Sequence, residues 1–359
     1  MFRPTEYASS TTVFQPGNHG TTSIIYGEND TRNDQLARVL DAGWNLNPSS
    51  LDSIKVGESV LRTVWRVQTA ADLFVLKRLD MSSAKAEIIT NCWEYCRSHS
   101  VPLPQIVTTN QKKLFHMEQS DAYVLMRYIA GEHYDGSSSQ LEQAAQALAY
   151  FHQTIATCNY DHAPLQRRFY AAHHDPEKLV SLQALIKKQP PRNDFETNVQ
   201  DMLEELGEWS RDVGTVDLLK LPMQFTHGDI HPHNLLFSKR NGQLTAFLDL
   251  NSLDFLQRVR DVAFAMHRLS RTYGIYTERQ KDVGIDIRTR AQRFLTAYIG
   301  VNRLTEDEIK AIPFILADEA LQRIMILLTL HYEEANTIAD HDLQKQLDTL
   351  HETRLFLNI

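Results

Sequence analysis

Short runs that alternate apolar and polar residues dominate the first third of the chain, which is typical of β-strands. Residues 63–69 and 73–79 are two such runs, and the turn residues at 70–72 predict that they form a hairpin. Two further strand-like runs lie at 113–117 and 122–128. We therefore expect this part of the chain to be rich in strands.

Two helices are predicted around these strands. The first begins near Asn33, a capping residue, and stops at Gly43. The second covers residues 83–98, opens with a serine cap and ends before Pro102.

After Gly131 the hydrophobic period changes to that of amphipathic helices. The predicted helical segments are 141–154, 195–209, 261–273, 289–302, 305–312 and 316–335. A strand-rich part followed by a helix-rich part predicts an α+β fold in two lobes. We expect the join near residues 129–135, with an N-lobe at 32–130 and a C-lobe at 131–359.

Residues 1–31 are rich in Thr, Ser, Gly and Asn and are expected to form a flexible arm. The total of 359 residues is too long for one ordinary core and fits two lobes.

Composition narrows the class of protein. Hydrophobic residues make up 42% and charged residues 23%, the balance of a globular protein, and the net charge of -8 argues against a nucleic-acid partner. We find no long apolar run and no signal-peptide pattern, so we expect no membrane association. Three sparse cysteines are typical of a reducing cytoplasm. The oligomeric state is left open.

A candidate metal site follows from a predicted hairpin. Strand runs at 235–237 and 244–248 flank Asn241 and the glycine after it, which favour a two-residue turn. In that register Asn234 and Asp249 are cross-strand partners. Their amide and carboxylate oxygens suit Mg²⁺, which prefers hard oxygen ligands. A four-residue loop would shift the pairing.

Asp229 lies five residues before Asn234. A carboxylate near a metal–phosphate site can accept the proton of an attacking hydroxyl group. Each of these polar residues, taken singly, is also an ordinary turn former.

Together they match a known pattern. Residues 226–237, Thr-His-Gly-Asp-Ile-His-Pro-His-Asn-Leu-Leu-Phe, resemble the catalytic loop of the aminoglycoside phosphotransferase and choline kinase superfamily. This superfamily includes homoserine kinase type II and CotS-like spore coat proteins. Residues 247–251 resemble its metal-binding segment, and Asp261 resembles the buried aspartate that braces the catalytic loop.

This resemblance implies a bilobal protein-kinase-like fold and a phosphotransferase activity. It implies Asp229 as the catalytic residue, Asn234 and Asp249 as ligands of Mg²⁺, and ATP or GTP as the phosphate donor. The acceptor would be a hydroxyl group of a small molecule, by analogy an amino alcohol, an amino acid or an amino sugar.

The resemblance extends to the nucleotide site. Lys77 resembles the strand lysine that holds the α- and β-phosphates, and strand alternation independently places Val75 on the same face, where it can cover adenine. Glu87 resembles the helix glutamate that pairs with this lysine, and Glu94 is the rival candidate.

Residues 122–132 resemble the hinge between the lobes. The resemblance implies that Met126, Arg127 and Ile129 contact the nucleotide base. The phosphate-covering turn is expected at 56–63, where this chain has one glycine and no Gly-x-Gly.

Three alternatives remain at this point. His227, His231 and His233 are candidate zinc ligands of a hydrolase. A catalytically weak, kinase-like structural protein of the coat type is the second. A protein kinase is the third, and the absence of an activation segment ending in Ala-Pro-Glu argues against it.

The sequence also predicts the charge of the acceptor. Asp254, Asp318 and Glu319 are expected to form an acidic site that binds a positively charged acceptor. If Arg323 faced the same site, it would bind a carboxylate, and a zwitterionic amino acid would then fit.

Overall fold

The structure is a computed structural model, and it describes residues 30–54, 63–165, 174–276, 287–334, 336, 338 and 340–357. Almost all of the predicted arm at 1–31 and of the predicted phosphate-covering turn at 56–63 lies outside the described residues. Within the described ranges, no helix has both the length and the apolar character needed to cross a membrane.

The chain forms two units, each with its own packing. Of the described residues, those up to His133, at 157–164 and at 234–251 form the first unit, and those at 134–156, 165–233 and 252–359 form the second. The predicted contiguous division at residue 131 therefore differs from the observed units. Residues 234–251 belong to the first unit because their hairpin pairs with the strand Glu132–His133.

An antiparallel sheet of five strands forms the centre of the first unit. In chain order its strands are β1 (Ser50–Ser53), β2 (Val64–Gln68), β3 (Leu73–Leu79), β4 (His116–Glu118) and β5 (Asp121–Arg127). Their order across the sheet is β1-β2-β3-β5-β4. The predicted hairpin of β2 and β3 is confirmed, and the Thr69 N–H closes its turn on the Asp72 carbonyl oxygen at 2.9 Å.

Two helices accompany this sheet, α1 (Asp30–Trp44) and α2 (Ser83–Ser98). The side chain of Ser82 caps α2 by accepting the N–H of Lys85. Leu36, Val39 and Leu40 form the buried face of α1 and pack in one cluster with Trp65 of β2. Both predicted helices are therefore confirmed.

A second, smaller sheet of the first unit joins β6 (Glu132–His133), β8 (Leu235–Phe237) and β9 (Leu244–Phe247). Its hairpin closes with a four-residue loop, in which the Gly242 N–H donates to the Ser238 carbonyl oxygen at 2.8 Å. Gly242 adopts a φ of 67°, a left-handed conformation that glycine tolerates.

The predicted two-residue turn is therefore wrong. With the longer loop and a bulge, Leu235 faces Phe247 instead of Leu248, so Asn234 and Asp249 are not direct cross-strand partners. The backbone N–H of Leu248 nevertheless donates to the Asn234 carbonyl oxygen at 2.9 Å, which keeps the two ends of the hairpin adjacent.

The second unit is mainly helical. Its helices are α3 (Ser138–Ile155), α4 (Pro176–Lys187), α5 (Asp194–Val213), α6 (Arg258–Tyr276), α7 (Ile287–Ile299), α8 (Glu306–Tyr332) and α9 (Asp340–Thr353). Strand β7 (Met223–Thr226) pairs with β10 (Asp254–Gln257) beside them. A strand-rich unit and a helical unit confirm the predicted α+β class.

Helix α8 differs from the prediction of two helices at 305–312 and 316–335. It is continuous through Pro313, and its N-terminus carries a capping box formed by Thr305 and Glu308. Its buried residues pack with those of α4, α5 and α9, so tertiary burial stabilises the helix although proline removes one backbone donor.

Candidate active site

Asp261, near the start of α6, holds the loop that follows β7. Its carboxylate accepts the backbone N–H of His227 at 2.7 Å and that of Gly228 at 3.0 Å. The carboxyl is fully buried, and burial raises its pKa, but hydrogen bonds and charges from His152 and His227 outweigh this effect and lower the pKa overall. Asp261 is therefore an ionised brace of the loop, as predicted.

His152 of α3 completes this brace, and the sequence analysis missed it. One ring nitrogen, Nε2, lies 3.0 Å from Asp261 Oδ2, and the other, Nδ1, lies 2.7 Å from the Tyr298 hydroxyl. The available signal was a polar residue on the buried face of an amphipathic helix, since Leu148 and Ile155 of the same face are wholly buried.

Gly228 gives the loop its turn. Its φ is 80°, and a Cβ atom at this position would lie 2.3 Å from the Ser252 carbonyl oxygen. A residue with a side chain would therefore be both strained and in collision. Glycine here fixes the direction in which Asp229 leaves the braced segment.

Asp229 is paired with His231. The His231 Nε2 atom lies 3.5 Å from Asp229 Oδ2, and 32% of the Asp229 side chain remains exposed. The backbone N–H of His233 donates to His231 Nδ1 at 3.3 Å. Because Nδ1 accepts a hydrogen bond, Nε2 carries a ring proton and is oriented to donate to Asp229.

The carboxyl of Asp229 is held ionised. Burial raises its pKa, but the hydrogen bond from His231 and the charges of His231, His227 and Arg268 outweigh burial, so that the pKa falls below the usual 3.8. At neutral pH the group is therefore a carboxylate that can accept a proton.

The histidines do not support a zinc site. In the part of the chain that the structure describes, no three His, Cys, Asp or Glu residues are grouped as metal ligands. His231 is oriented toward Asp229, and its ring lies edge-on to that of His233 at 5.7 Å. This geometry argues against the hydrolase alternative.

Lys77 and Asp249 meet within the first unit. Lys77 of β3 is only 8% exposed, and its Nζ donates to Asp249 Oδ1 at 2.8 Å. The predicted pair of Lys77 with Glu87 is not formed, because Glu87 is exposed on α2. Glu94, the rival, binds Arg97.

The oxygen atoms around Asp249 form a candidate cation site. Asp249 has a φ of 70°, and its Oδ1 also accepts the backbone N–H of Asn251 at 3.2 Å. The Asn251 Oδ1 atom is buried and has no hydrogen-bond partner among the described residues, which leaves an acceptor available for a cation. Asn234 lies at the same end of the hairpin and is nearly buried.

These donors fit Mg²⁺. Asn234, Asp249 and Asn251 offer only carboxylate and amide oxygens, the ligands that this ion prefers. Because Mg²⁺ is usually held by one or two protein groups together with phosphate oxygens, a larger cluster of carboxylates is not required.

The predicted base-binding residues fall on two faces of the sheet. Val75 and Met126 are cross-strand partners, so they share a face with Lys77. Arg127 instead faces the other side, where its guanidinium pairs with Asp72 at 3.0 Å, and its backbone N–H donates to the Gln105 carbonyl oxygen. Ile129 follows β5 and is half-buried.

The predicted acidic acceptor site is not formed by Asp318. This carboxylate is fully buried and accepts hydrogen bonds from the His174 backbone N–H at 2.8 Å, from Arg260 at 2.9 Å and from Gln322 at 2.9 Å. Internal partners satisfy its charge, so it acts as a structural anchor.

Asp254 and Glu319 contribute no open acidic surface. Asp254 is buried in β10, where its Oδ1 accepts the N–H of Phe255. Glu319 lies 3.5 Å from Arg260 Nη1, and burial raises its pKa. The expectation of an acidic site at these three residues is therefore wrong.

Sequence comparison identifies one matching family model. The model described as the phosphotransferase enzyme family matches residues 54–296. A search among curated proteins found no match.

Solved structures with a similar fold share little sequence with this chain. An aminoglycoside phosphotransferase from Alicyclobacillus acidocaldarius superposes with a TM-score of 0.67 at 15% identity, over 89% of this chain and 93% of that one. A spectinomycin phosphotransferase in complex with ADP and spectinomycin gives 0.62 at 11% identity, over 90% and 97%. An amicoumacin kinase in complex with AMP-PNP, Ca²⁺ and Ami gives 0.61 at 14% identity, over 91% and 93%.

Proposed function

Because the chain belongs to the phosphotransferase enzyme family, we propose that it transfers the γ-phosphate of ATP or GTP to a hydroxyl group of a small molecule. The observation that carries this proposal is the ion pair of the nearly buried Lys77 with the partly buried Asp249, next to the buried amide oxygen of Asn251. Lys77 offers an ammonium group that can bind phosphate, and Asp249 and Asn251 offer oxygen ligands for a metal ion.

Mg²⁺ would be held by Asn234 and Asp249, with Asn251 as a further oxygen donor. When bound, the ion supplies charge neutralisation to the phosphate oxygens as the phosphoryl group transfers. Lys77 binds the α- and β-phosphates through its ammonium group.

Asp229 performs the proton transfer. As the acceptor oxygen bonds to the γ-phosphorus, the bond from phosphorus to the bridging oxygen breaks and the nucleoside diphosphate leaves. The hydroxyl proton goes to the Asp229 carboxylate. His231 holds that carboxylate in orientation through its Nε2 proton.

The nucleotide base would lie against Val75 and Met126, which share the Lys77 face of the sheet. Ile129 and Arg127 would supply backbone groups, the latter through its carbonyl because its N–H is already bonded. Glu87 would then approach the phosphates only after a change of its exposed rotamer.

The acceptor classes expected from the resemblance are amino alcohols, amino acids and amino sugars. The coat-type alternative gains no support, because a scaffold does not require a nearly buried lysine, a left-handed aspartate and an ionised Asp229. Release of ADP from ATP with Mg²⁺ and a library of such acceptors tests the activity directly.

Lys77→Met should weaken binding of Mg²⁺·ATP about 10- to 100-fold, because a charge-assisted hydrogen bond to phosphate is lost. Titration calorimetry measures the Kd. Lys239→Met is the matched control, since Lys239 is exposed on the hairpin loop and pairs with Glu132 at the surface. Equal Kd values for wild type and Lys77→Met would contradict the assigned role.

A further inference from the structure

Two cysteine side chains from distant parts of the sequence meet inside the first unit. The Sγ atom of Cys92, on α2, lies 3.5 Å from the Sγ atom of Cys158, in the segment 157–164 of the same unit. The two residues are 66 positions apart in the chain. Both are free thiols, as is Cys96 about one turn further along α2. The fold therefore holds two reduced sulfur atoms in contact.

A single face of α2 makes this contact. Cys92, Tyr95 and Cys96 follow at a spacing that places side chains on one side of a helix. The Tyr95 hydroxyl group lies 2.9 Å from the Thr157 hydroxyl group, so a hydrogen bond also joins α2 to the residue before Cys158. Two neighbouring contacts thus hold the segment of Cys158 against α2.

The two thiols differ in their access to solvent. Cys92 is fully buried, whereas Cys158 is 9% exposed and its chain neighbours Thr157 and Asn159 are exposed. Residues 158–162 form no helix or strand. A small reagent that comes from solvent therefore meets Cys158 before Cys92.

The same contact makes the thiols chemically unequal. The hydrogen bond from Cys92 lowers the pKa of Cys158 more than burial raises it, and the thiolate is the reactive form of cysteine. The hydrogen bond with Cys158 raises the pKa of Cys92, and burial raises it further. Burial, and then the charge of Cys158, raise the pKa of Cys96. Of the three cysteines, Cys158 is thus the one suited to react with an oxidant.

We propose that Cys92 and Cys158 form a redox-sensitive pair, in which a peroxide oxidises Cys158 and Cys92 then closes a reversible disulfide bond. The pair is a site of modification, and its chemistry does not depend on the proposed phosphotransferase activity. Sparse cysteines predict a reducing compartment, where disulfides, when they form, are usually transient and redox-sensing. In such a compartment the pair stays reduced until an oxidant reaches it.

The oxidation has two steps. In the first, the Cys158 thiolate bonds to one oxygen of hydrogen peroxide and the O–O bond breaks, and the hydroxide that leaves becomes water with the proton that Cys158 had released. Cys158 is then a sulfenic acid. In the second, the Cys92 sulfur bonds to the Cys158 sulfur, the S–O bond breaks, and the leaving hydroxide takes the Cys92 proton. Two thiols and one peroxide thereby give one disulfide and two waters.

Little movement is needed to form this bond. A disulfide requires an S–S distance of about 2.05 Å, so the two atoms must approach each other by about 1.5 Å from their separation of 3.5 Å. Cys92 lies within a regular helix, whereas Cys158 lies outside helices and strands, so the segment of Cys158 can supply the movement. The disulfide would tie α2 covalently to this segment.

Peroxide treatment of the full chain tests the pair. The reduced protein is treated with hydrogen peroxide, its remaining thiols are blocked with an alkylating reagent, and its peptides are mapped by mass spectrometry without reduction. Two of the three thiols should be lost, with Cys92 and Cys158 joined in one linked peptide and Cys96 alkylated. Subsequent treatment with dithiothreitol should restore all three thiols.

Single substitutions assign the two roles. In Cys92→Ala, Cys158 should stop at the sulfenic acid, which dimedone traps, and no linked peptide should form. In Cys158→Ala, Cys92 and Cys96 should stay reduced at the same peroxide concentration, because both are fully buried. Cys96→Ala is the matched control, since it removes a buried thiol from the same face of α2 and should leave the linked peptide unchanged.

Peptide mapping of wild type is decisive even where a variant fails to fold. Three free thiols after peroxide treatment overturn the inference, as does oxidation of Cys158 without a linked peptide. A disulfide that joins Cys96, or that joins two chains, overturns it equally. Sulfenic acid trapped on Cys92 instead of Cys158, or loss of the linked peptide in a folded Cys96→Ala variant, would contradict the assigned roles.

Discussion

Replacing Asp229 with asparagine should lower kcat about 10²- to 10⁴-fold, the scale of a positioned general base, while the Kd for Mg²⁺·ATP stays close to that of wild type. The asymmetry follows from the proposed role, since Asp229 accepts a proton from the acceptor and does not bind the nucleotide. Steady-state ADP release and calorimetry measure the two quantities separately.

Asp217→Asn is the control for this substitution, because Asp217 is half-exposed in the same unit and pairs with Lys220. The pH profile gives a second check. The pKa of Asp229 lies below its usual value of 3.8, so wild-type kcat should fall only when the pH drops below 3.8. Full activity of Asp229→Asn would remove the residue from the mechanism.

Replacing Asp249 with asparagine should strongly reduce the effect of Mg²⁺ on nucleotide affinity and lower kcat at least about 10²-fold, since metal stabilisation of phosphoryl transfer is worth several kcal/mol. The variant loses the carboxylate ligand and the ion pair with Lys77. Calorimetry with ATP in the presence of Mg²⁺ and in the presence of a chelator measures the change.

Asparagine is the appropriate replacement because Asp249 has a φ of 70°, which asparagine tolerates and alanine does not. In an Asp249→Ala variant, the effect of backbone strain could not be separated from the effect of losing a metal ligand. Asp72→Asn is the control, as Asp72 is exposed and pairs with Arg127. If Mg²⁺ strengthens nucleotide binding to Asp249→Asn as much as it does to wild type, the metal is held elsewhere.

Local features of this fold were predictable from the sequence. The hairpin of β2 and β3 and the apolar face of α1 depend on residues close together in the chain, and both are present. The bracing contact of Asp261 was inferred from the resemblance alone. Its hydrogen bond with the His227 N–H joins residues that are 34 positions apart, and no local sequence pattern predicts such a contact.

Features that depend on competition between conformations were not predictable. Asn241 and Gly242 favour a two-residue turn, but the observed register uses a four-residue loop with a bulge. Pro313 normally ends a helix, but burial of its neighbours on both sides keeps α8 intact.

Contacts between side chains that are distant in sequence could not be predicted from the pattern of residues along the chain either. Lys77 pairs with a residue 172 positions away, and the partners of Asp318 come from two other segments.

The hydrogen bonds of Asp261 also bear on when the loop that carries Asp229 folds. The bond to His227 spans 34 residues and the bond to His152 spans 109, so both carry a large loop-closure cost. The loop that presents Asp229 can take its final path only after α3 and α6 have docked on β7. We therefore expect the loop that carries Asp229 to reach its final structure later than the helices and the first hairpin of this polypeptide.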